Sequence, residues 1–549
     1  MDTADQIFIN GKVYTVNDVE PWVEAFATNG DQIVATGTSA EMQNLAGNAT
    51  QTTDLEGRFV MPGFIEGHAH FGGLGNSVLN LNLLATTSWA EIIDSVRVRA
   101  ERAEPGDWIY GRGWHQEKWT DTGYETVDGY PLHDALSEVS PNNPVVLTHA
   151  SGHGAMANAA AMKAAGISSE SSDPEGGRIL RNAHGEPIGV FEERATAQLY
   201  EALKAYYASL PVEQREAEQV QAWKLASQAC IEAGITSFQD AGTSRRDLDA
   251  LRVLAKADSL DVRLWMMLRE SCEEMAGENG SAAGLPWVGI GNNKLTVRAI
   301  KTELDGALGS YGAWLLEDYS DKPGFRGQNT TTIEEVACIA DLAFSKEMQL
   351  CVHAIGDRAN KETLDIVERY SSRVDSALRW RNEHSQHIAV EDIPRFAATG
   401  TIASMQGIHA TSDAPFVVAR LGIERARTGA YAWRSLLDAG AVVTNGTDAP
   451  VEEVSALASL YAMITRQQKP GGEAFFPEQS LTRQEAIYAY TMANAYAAFE
   501  EDEKGSIASG KLADFIVLDR NLVDCPVDSI PSAGVLRTFI GAEEVYTAL

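Results

Sequence analysis

The chain has 549 residues, 44% hydrophobic and 22% charged, which is enough to bury a large core and a catalytic site without disulfides. Its 44 basic against 77 acidic residues leave a formal charge of −33, which repels nucleic acid and anionic membranes and argues against both as partners. No apolar run reaches the roughly 18 residues of a membrane span. The start, Met1-Asp2-Thr3-Ala4-Asp5, has neither the basic nor the apolar region of a signal peptide. The expectation is a cytoplasmic protein, or a periplasmic or secreted one whose signal peptide has been removed.

Residues 5–55 read as short antiparallel strands. Gln6–Ile9 runs through the turn Asn10-Gly11 into Lys12–Val16, and Ala25–Thr28 runs through Asn29-Gly30-Asp31 into Gln32–Gly37. Asn-Gly between alternating apolar residues is a strong hairpin signal. The C-terminus has the same style in Ala513–Asp519 and Val535–Tyr546. The expectation is a small β-sandwich built from residues 1–59 and 500–549. Between them, over 60–499, strand-like runs alternate with helix-like stretches, the pattern of a parallel α/β fold. Eight strands are expected, at 60–68, 235–240, 262–268, 297–304, 349–353, 380–384, 401–406 and 442–447, with helices such as 212–232 and 333–346 between them. Eight βα units make a TIM-type (β/α)8 barrel, whose active sites lie at the C-terminal ends of the strands. The first two strands are too far apart for an ordinary βα connection, so an insertion with β-rich parts is expected at about 75–215.

The chemistry gathers at those strand ends. His68 and His70 in Gly67-His68-Ala69-His70 lie two positions apart and share one face of a strand. Lys301, His353, His384 and Asp448 each close a later apolar run. Four of the chain's 11 histidines thus sit at strand ends, and imidazole with carboxylate suits zinc or a similar divalent ion. Free lysine is cationic near neutral pH and a poor ligand. The cysteines, Cys230, Cys272, Cys338, Cys351 and Cys525, are odd in number and scattered, giving neither a disulfide framework nor a Cys-x-x-Cys zinc site. His133, His184 and His387 read as ordinary solvated or packed histidines.

The ordered set resembles the amidohydrolase superfamily, and within it the amidohydrolase-3 or YtcJ-like branch, which includes N-substituted formamide deformylases. The resemblance extends from Met61-Pro62-Gly63-Phe64-Ile65-Glu66-Gly67-His68-Ala69-His70 to the tail 504–514. It includes Gly111-Arg112-Gly113-Trp114, Asp305–Ser310, His353-Ala354-Ile355-Gly356-Asp357-Arg358 and Arg381–Gln386. It implies that His68 and His70 hold the more buried metal, that His353 and His384 hold a second one, and that Lys301 reacts with carbon dioxide to give a bridging carbamate. Asp448 would be both ligand and proton shuttle, with His153 or His409 as a second donor to the developing oxyanion or an alternative base. Trp114, His115, Asp305 and Arg358 would line the substrate pocket, although His115 stands where the family often has aspartate. The activity implied is metal-dependent hydrolysis of a non-peptide C–N bond in a small-molecule amide, an N-acyl or N-formyl amine. The rivals are an aminoheterocycle deaminase and a non-catalytic regulatory metal-binding protein. The Ala-Ile-Gly-Asp that follows His353, in place of a His-x-x-Glu pattern, and the presence of Lys301 speak against the deaminase. The intact ligand set speaks against the non-catalytic reading. A homo-oligomer is compatible with all of these.

Overall fold

The computed structural model describes residues 3–116, 119–120, 124–149, 154–174, 176–374 and 377–548. The chain divides into two compact units, one of residues 1–71 with 227–549 and the other of residues 72–226.

The larger unit contains the barrel. Its strands are β1 (Phe64–Ala69), β2 (Ile235–Thr243), β3 (Arg263–Leu268), β4 (Leu295–Glu303), β5 (Gln349–Ala354), β6 (Arg381–His384), β7 (Ile402–Gln406) and β8 (Val443–Gly446). They are hydrogen-bonded in parallel in sequence order, and each lies within a few residues of its expected place. Continuous burial along β3 and β6 explains why these segments read as unbroken core strands. The seam between β8 and β1 is bridged just beyond β8, where Asp448 N–H donates to His68 O at 2.7 Å and His70 N–H to Ala449 O at 2.8 Å. Two glycines permit this approach. A Cβ on Gly67 would lie 2.5 Å from Asn445 O, and one on Gly446 would lie 2.6 Å from His68 N.

The expected first strand, 60–68, proves to be two strands. Phe59–Pro62 pairs antiparallel with Phe515–Leu518 in a separate sheet, and the barrel strand begins only at Phe64. Gly63 makes the crossing where a Cβ would strike the Thr236 side chain at 2.3 Å. The Asn29-Gly30 hairpin forms as expected, with Ala25–Asn29 antiparallel to Gln32–Gly37. Asn10-Gly11 does not make a hairpin. Asn10 takes φ 57° and the chain leaves the four-stranded sheet containing Ala4–Ile9 for the six-stranded sheet containing Lys12–Tyr14. The turn signal was real, but the strand after it finds its partners in Phe59–Pro62 and Trp22–Val23. Phe8 and Phe26 of the first sheet meet Phe515 and Phe539 of the second, with Phe8 and Phe515 ring centroids 4.9 Å apart. Burying each such ring contributes about 2–3 kcal/mol. Both ends of the chain therefore share one core. Arg263 at the start of β3 ties that core to the barrel through a buried fork on Asp514, at 2.7 and 3.0 Å.

Residues 72–226 carry a six-stranded sheet in the order 177–181, 187–193, 154–157, 145–149, 109–114, 81–82. Trp114 is 1% exposed in its core, packed with Trp89, Ile92 and Leu147, and its indole N–H donates to Leu147 O at 2.8 Å. The expectation that Trp114 lines a substrate pocket is corrected accordingly: burial and a spent N–H make it a core residue. The ring of His115 lies 4.7 Å from that of His149. The cysteine expectation is also corrected, since Cys272 and Cys338 form a disulfide across 66 residues of sequence. It joins the short helix Cys272–Met275 after β3 to the helix Ile333–Ser345 after β4, where Glu335 also accepts from Cys272 N–H at 2.6 Å. Among the described residues no helix is long and apolar enough to cross a membrane.

Candidate metal centre

Beneath the centre, Glu66 of β1 is fully buried and accepts from Thr447 N–H at 2.7 Å, Tyr490 O–H at 2.8 Å and His68 N–H at 3.2 Å. Burial pushes its carboxyl up to about 7 against those donors. These bonds hold the end of β1 against the turn after β8. Above them, the metal-binding atoms of His68, His384 and Asp448 lie within 4.8 Å of one another. Asp448 Oδ1 is 3.6 Å from His68 Nε2 and 3.1 Å from His70 Nε2. The His353 ring packs on that of His384, with centroids 4.4 Å apart. Both His384 (φ 73°) and Asp448 (φ 60°) hold left-handed backbone conformations. Such strain costs about 1–3 kcal/mol per residue and is retained where side chains must be aimed.

The imidazoles are oriented from behind. His68 Nδ1 lies 2.5 Å from Glu383 Oε2, and His384 Nδ1 lies 2.8 Å from Gln406 Oε1. The Gln406 amide is itself oriented, because its Nε2 donates to Ser404 O at 3.1 Å. Each Nδ1 therefore carries the proton and each Nε2 lone pair is left for the centre. Among the described residues, the buried Nε2 atoms of His68 and His353 have no hydrogen-bond partner. Burying such atoms unpaired is costly, and a divalent cation is the group that this donor set fits.

The electrostatics agree. Burial lowers His68 to about 4 and His353 to about 3, and drives His384 well down, so all three are neutral imidazoles near pH 7, the form that could bind a cation. Burial opposes the charge on Asp448, but the hydrogen bond with His409 and the nearby imidazole of His70 hold its carboxyl well below the usual range. Lys301 is 1% exposed, its amine is pushed down by burial, and Nζ donates to Ala241 O at 3.2 Å. His409 Nε2 sits 3.2 Å from Asp448 Oδ2. Burial opposes its protonation, yet Asp448, with Asp413 and Glu452 behind it, raises it to about 9. His409 thus sits as a hydrogen-bond partner of Asp448.

The other sequence candidates separate. Asp305 is 2% exposed, and its oxygens accept from the backbone N–H groups of Trp314, Ile355 and Gly356 at 2.8–2.9 Å. This corrects the expectation of a substrate contact: Asp305 anchors the loops after β4 and β5. Arg358 pairs with Glu362 at 2.5 Å and lies over Trp314. His387 is buried against Tyr431, as a packed histidine should be. His153 lies outside the described residues. Sequence reasoning missed Glu383 and Arg381. The available signal was two opposite charges at i and i+2 in a fully buried strand, which places both on one face and calls for partners inside the barrel.

With this geometry in place, comparison with known proteins is direct. The chain is 31% identical to Protein LONG AFTER FAR-RED 3 of Arabidopsis thaliana, over 99% of this chain and 92% of that protein. It is 29% identical to the putative amidohydrolase YtcJ of Bacillus subtilis, over 98% of this chain and 99% of the relative. It is 26% identical to the N-substituted formamide deformylase of Arthrobacter pascens, over 98% and 97% of the two chains. The model of the amidohydrolase family of the amidohydrolase-3 type matches residues 51–546. The chain belongs to that amidohydrolase family, in its YtcJ-like branch, and its fold and donor set are those of a metal-dependent hydrolase.

Proposed function

We propose that this protein hydrolyses a non-peptide carbon–nitrogen bond, in an N-formyl or N-acyl amine, at the centre formed by His68, His70, His353, His384 and Asp448. The observation that carries the reading is the convergence of His68, His384 and Asp448, with imidazole Nε2 atoms held proton-free by partners behind them. The formamide deformylase relative supports the choice of bond. Zinc suits the imidazole and carboxylate set, and when bound it polarises a carbonyl and lowers the pKa of water to about 7.

The chain's own groups supply the rest. Asp448, ionised and beside His70, accepts the proton of the attacking water and returns it to the leaving nitrogen, so that the amine departs neutral. His409 donates to Asp448 Oδ2 and keeps the carboxylate aimed. The buried, neutral form of Lys301 is the one that adds carbon dioxide, and the resulting carbamate would be a further anionic ligand for a second ion. The test is hydrolysis by zinc-loaded protein of a panel of N-formyl amines, N-acyl amines, esters and aminoheterocycles, read as release of amine, alcohol or ammonia respectively. Release from the formyl or acyl amines, lost in His68→Ala, is expected. Ammonia from the aminoheterocycles, with the amides untouched, would replace this reading with deamination.

A further inference from the structure

The two buried imidazoles of the centre are braced differently. His384 is backed by a neutral amide, Gln406, whereas His68 is backed by a carboxylate, Glu383. Both Glu383 oxygens are engaged. Oε1 accepts from Arg381 Nε at 2.6 Å, and Oε2 takes both Arg381 Nη2 at 3.1 Å and His68 Nδ1 at 2.5 Å. The side chain is wholly buried, so it faces neither solvent nor substrate.

Arg381 in turn is held from several strands. Its Nη1 donates to Gln239 Oε1 of β2 at 2.5 Å, and its Nη2 to Gly67 O of β1 at 2.6 Å and Ser404 Oγ of β7 at 2.8 Å. Gln239 is fixed by donating from Nε2 to Asn494 O at 2.7 Å. The guanidinium also lies 5.5 Å from the Trp265 ring of β3. One cation thus joins β1, β2, β6 and β7 beside the His68 backbone and presents Glu383 to His68 in a single orientation. Planar fork geometry makes this a task for arginine.

We propose that Glu383, aimed by Arg381, is a positioning residue that fixes His68 as an Nε2 ligand and makes it the stronger donor of the two braced imidazoles. The affinity of the centre for a divalent cation is then set by a residue that touches neither the cation nor the substrate. The physical cause is that a carboxylate accepting the Nδ1 proton adds negative character to the ring, which an amide oxygen does to a much smaller extent. This inference rests on the proposed reading of the centre as a metal site.

The experiment compares zinc affinity, by competition with a chromophoric chelator, in wild type, Glu383→Gln, Gln406→Leu and the double variant Arg381→Met with Glu383→Gln. Glu383→Gln keeps size and an acceptor oxygen but removes the charge, and a 10–100-fold weaker affinity is expected. A smaller loss is expected for Gln406→Leu. Glu383→Gln alone strands the Arg381 cation and lowers the melting temperature of the metal-free protein. The double variant removes that stranded cation, although it also leaves Gln239, Gly67 and Ser404 without their donor, and its zinc affinity stays low. In the metal-free protein, a downfield His68 Nδ1–H proton resonance is expected for wild type and should move upfield in Glu383→Gln. Wild-type affinity in Glu383→Gln, or affinity recovered together with stability in the double variant, would reduce Glu383 to a structural brace and overturn the inference. Wild type that takes up no zinc would overturn the metal-site reading, and this inference with it.

Discussion

Asp448→Asn isolates proton transfer from ligation. The side chain keeps its shape and an oxygen that still reaches the centre, but it loses the basic carboxylate that sits 3.1 Å from His70 and 3.2 Å from His409. If Asp448 carries the proton, kcat should fall about 10²–10⁴-fold, equivalent to roughly 3–5.5 kcal/mol of barrier. Metal content should fall far less than in His68→Ala. A second readout comes from His409, which Asp448 raises to about 9 against the effect of burial. In the variant that attraction is gone and burial is opposed only by Asp413 and Glu452, so the His409 titration followed by NMR in metal-free protein should move to lower pH. The kinetic assay is turnover of a confirmed substrate by zinc-loaded wild type and variant at matched metal content. Near-normal turnover would refute the role and require another base, and an unmoved His409 midpoint would refute the Asp448–His409 contact.

Closing a 66-residue loop, the Cys272–Cys338 disulfide should contribute about 4 kcal/mol, so reduction or Cys338→Ser should lower the melting temperature by about 5 °C; an unchanged melting point would contradict the pairing. Gly446→Ala puts a methyl 2.5 Å from Glu66 Oε1 and 2.6 Å from His68 N, which should cost about 1–3 kcal/mol and reduce zinc content by displacing β1. Normal stability and metal content would show that the seam is looser than described. Arg263→Met leaves Asp514 buried without its partner, at a cost of about 3–5 kcal/mol near neutral pH. In wild type, burial opposes the Asp514 charge, but Arg263 holds its carboxyl below the unfolded value, so that stabilisation is present above about pH 4 and is lost as pH falls. In the variant burial acts alone and favours the protonated acid, so the difference from wild type should shrink towards acid pH. A loss that is equal at pH 4 and pH 7 would contradict this.

The barrel was legible because its strands are short, apolar and spaced by helices, and because ligands at strand ends marked which end carries chemistry. His68 and His70 were readable from period 2 alone. What the sequence hid was mostly a matter of partners far apart in the chain. Asn10-Gly11 announces a turn, but only the core around Phe8 and Phe515 decides that the next strand joins another sheet. Residues 59–62 look like the start of β1 because an end-sheet strand and a barrel strand share the same apolar composition, and Gly63 alone separates them. The Glu383–His68 contact spans 315 positions, so strand register puts Glu383 on the inner face without naming what it meets. Trp114 misled because an aromatic cluster has the same composition in a pocket and in a core. The disulfide was invisible because cysteine spacing carries no information about Cα separation in the fold.

The central claim is that hydrolysis depends on a divalent cation held by His68, His384 and Asp448. The most direct measurement is the rate of amine release from an N-formyl or N-acyl amine by chelator-stripped protein as zinc is added back, with bound zinc measured in parallel. Activity should be absent in the stripped protein, rise in proportion to zinc bound, and fail to return in His68→Ala and His384→Ala. Undiminished turnover by the stripped protein, or equal recovery in those variants, would contradict the account.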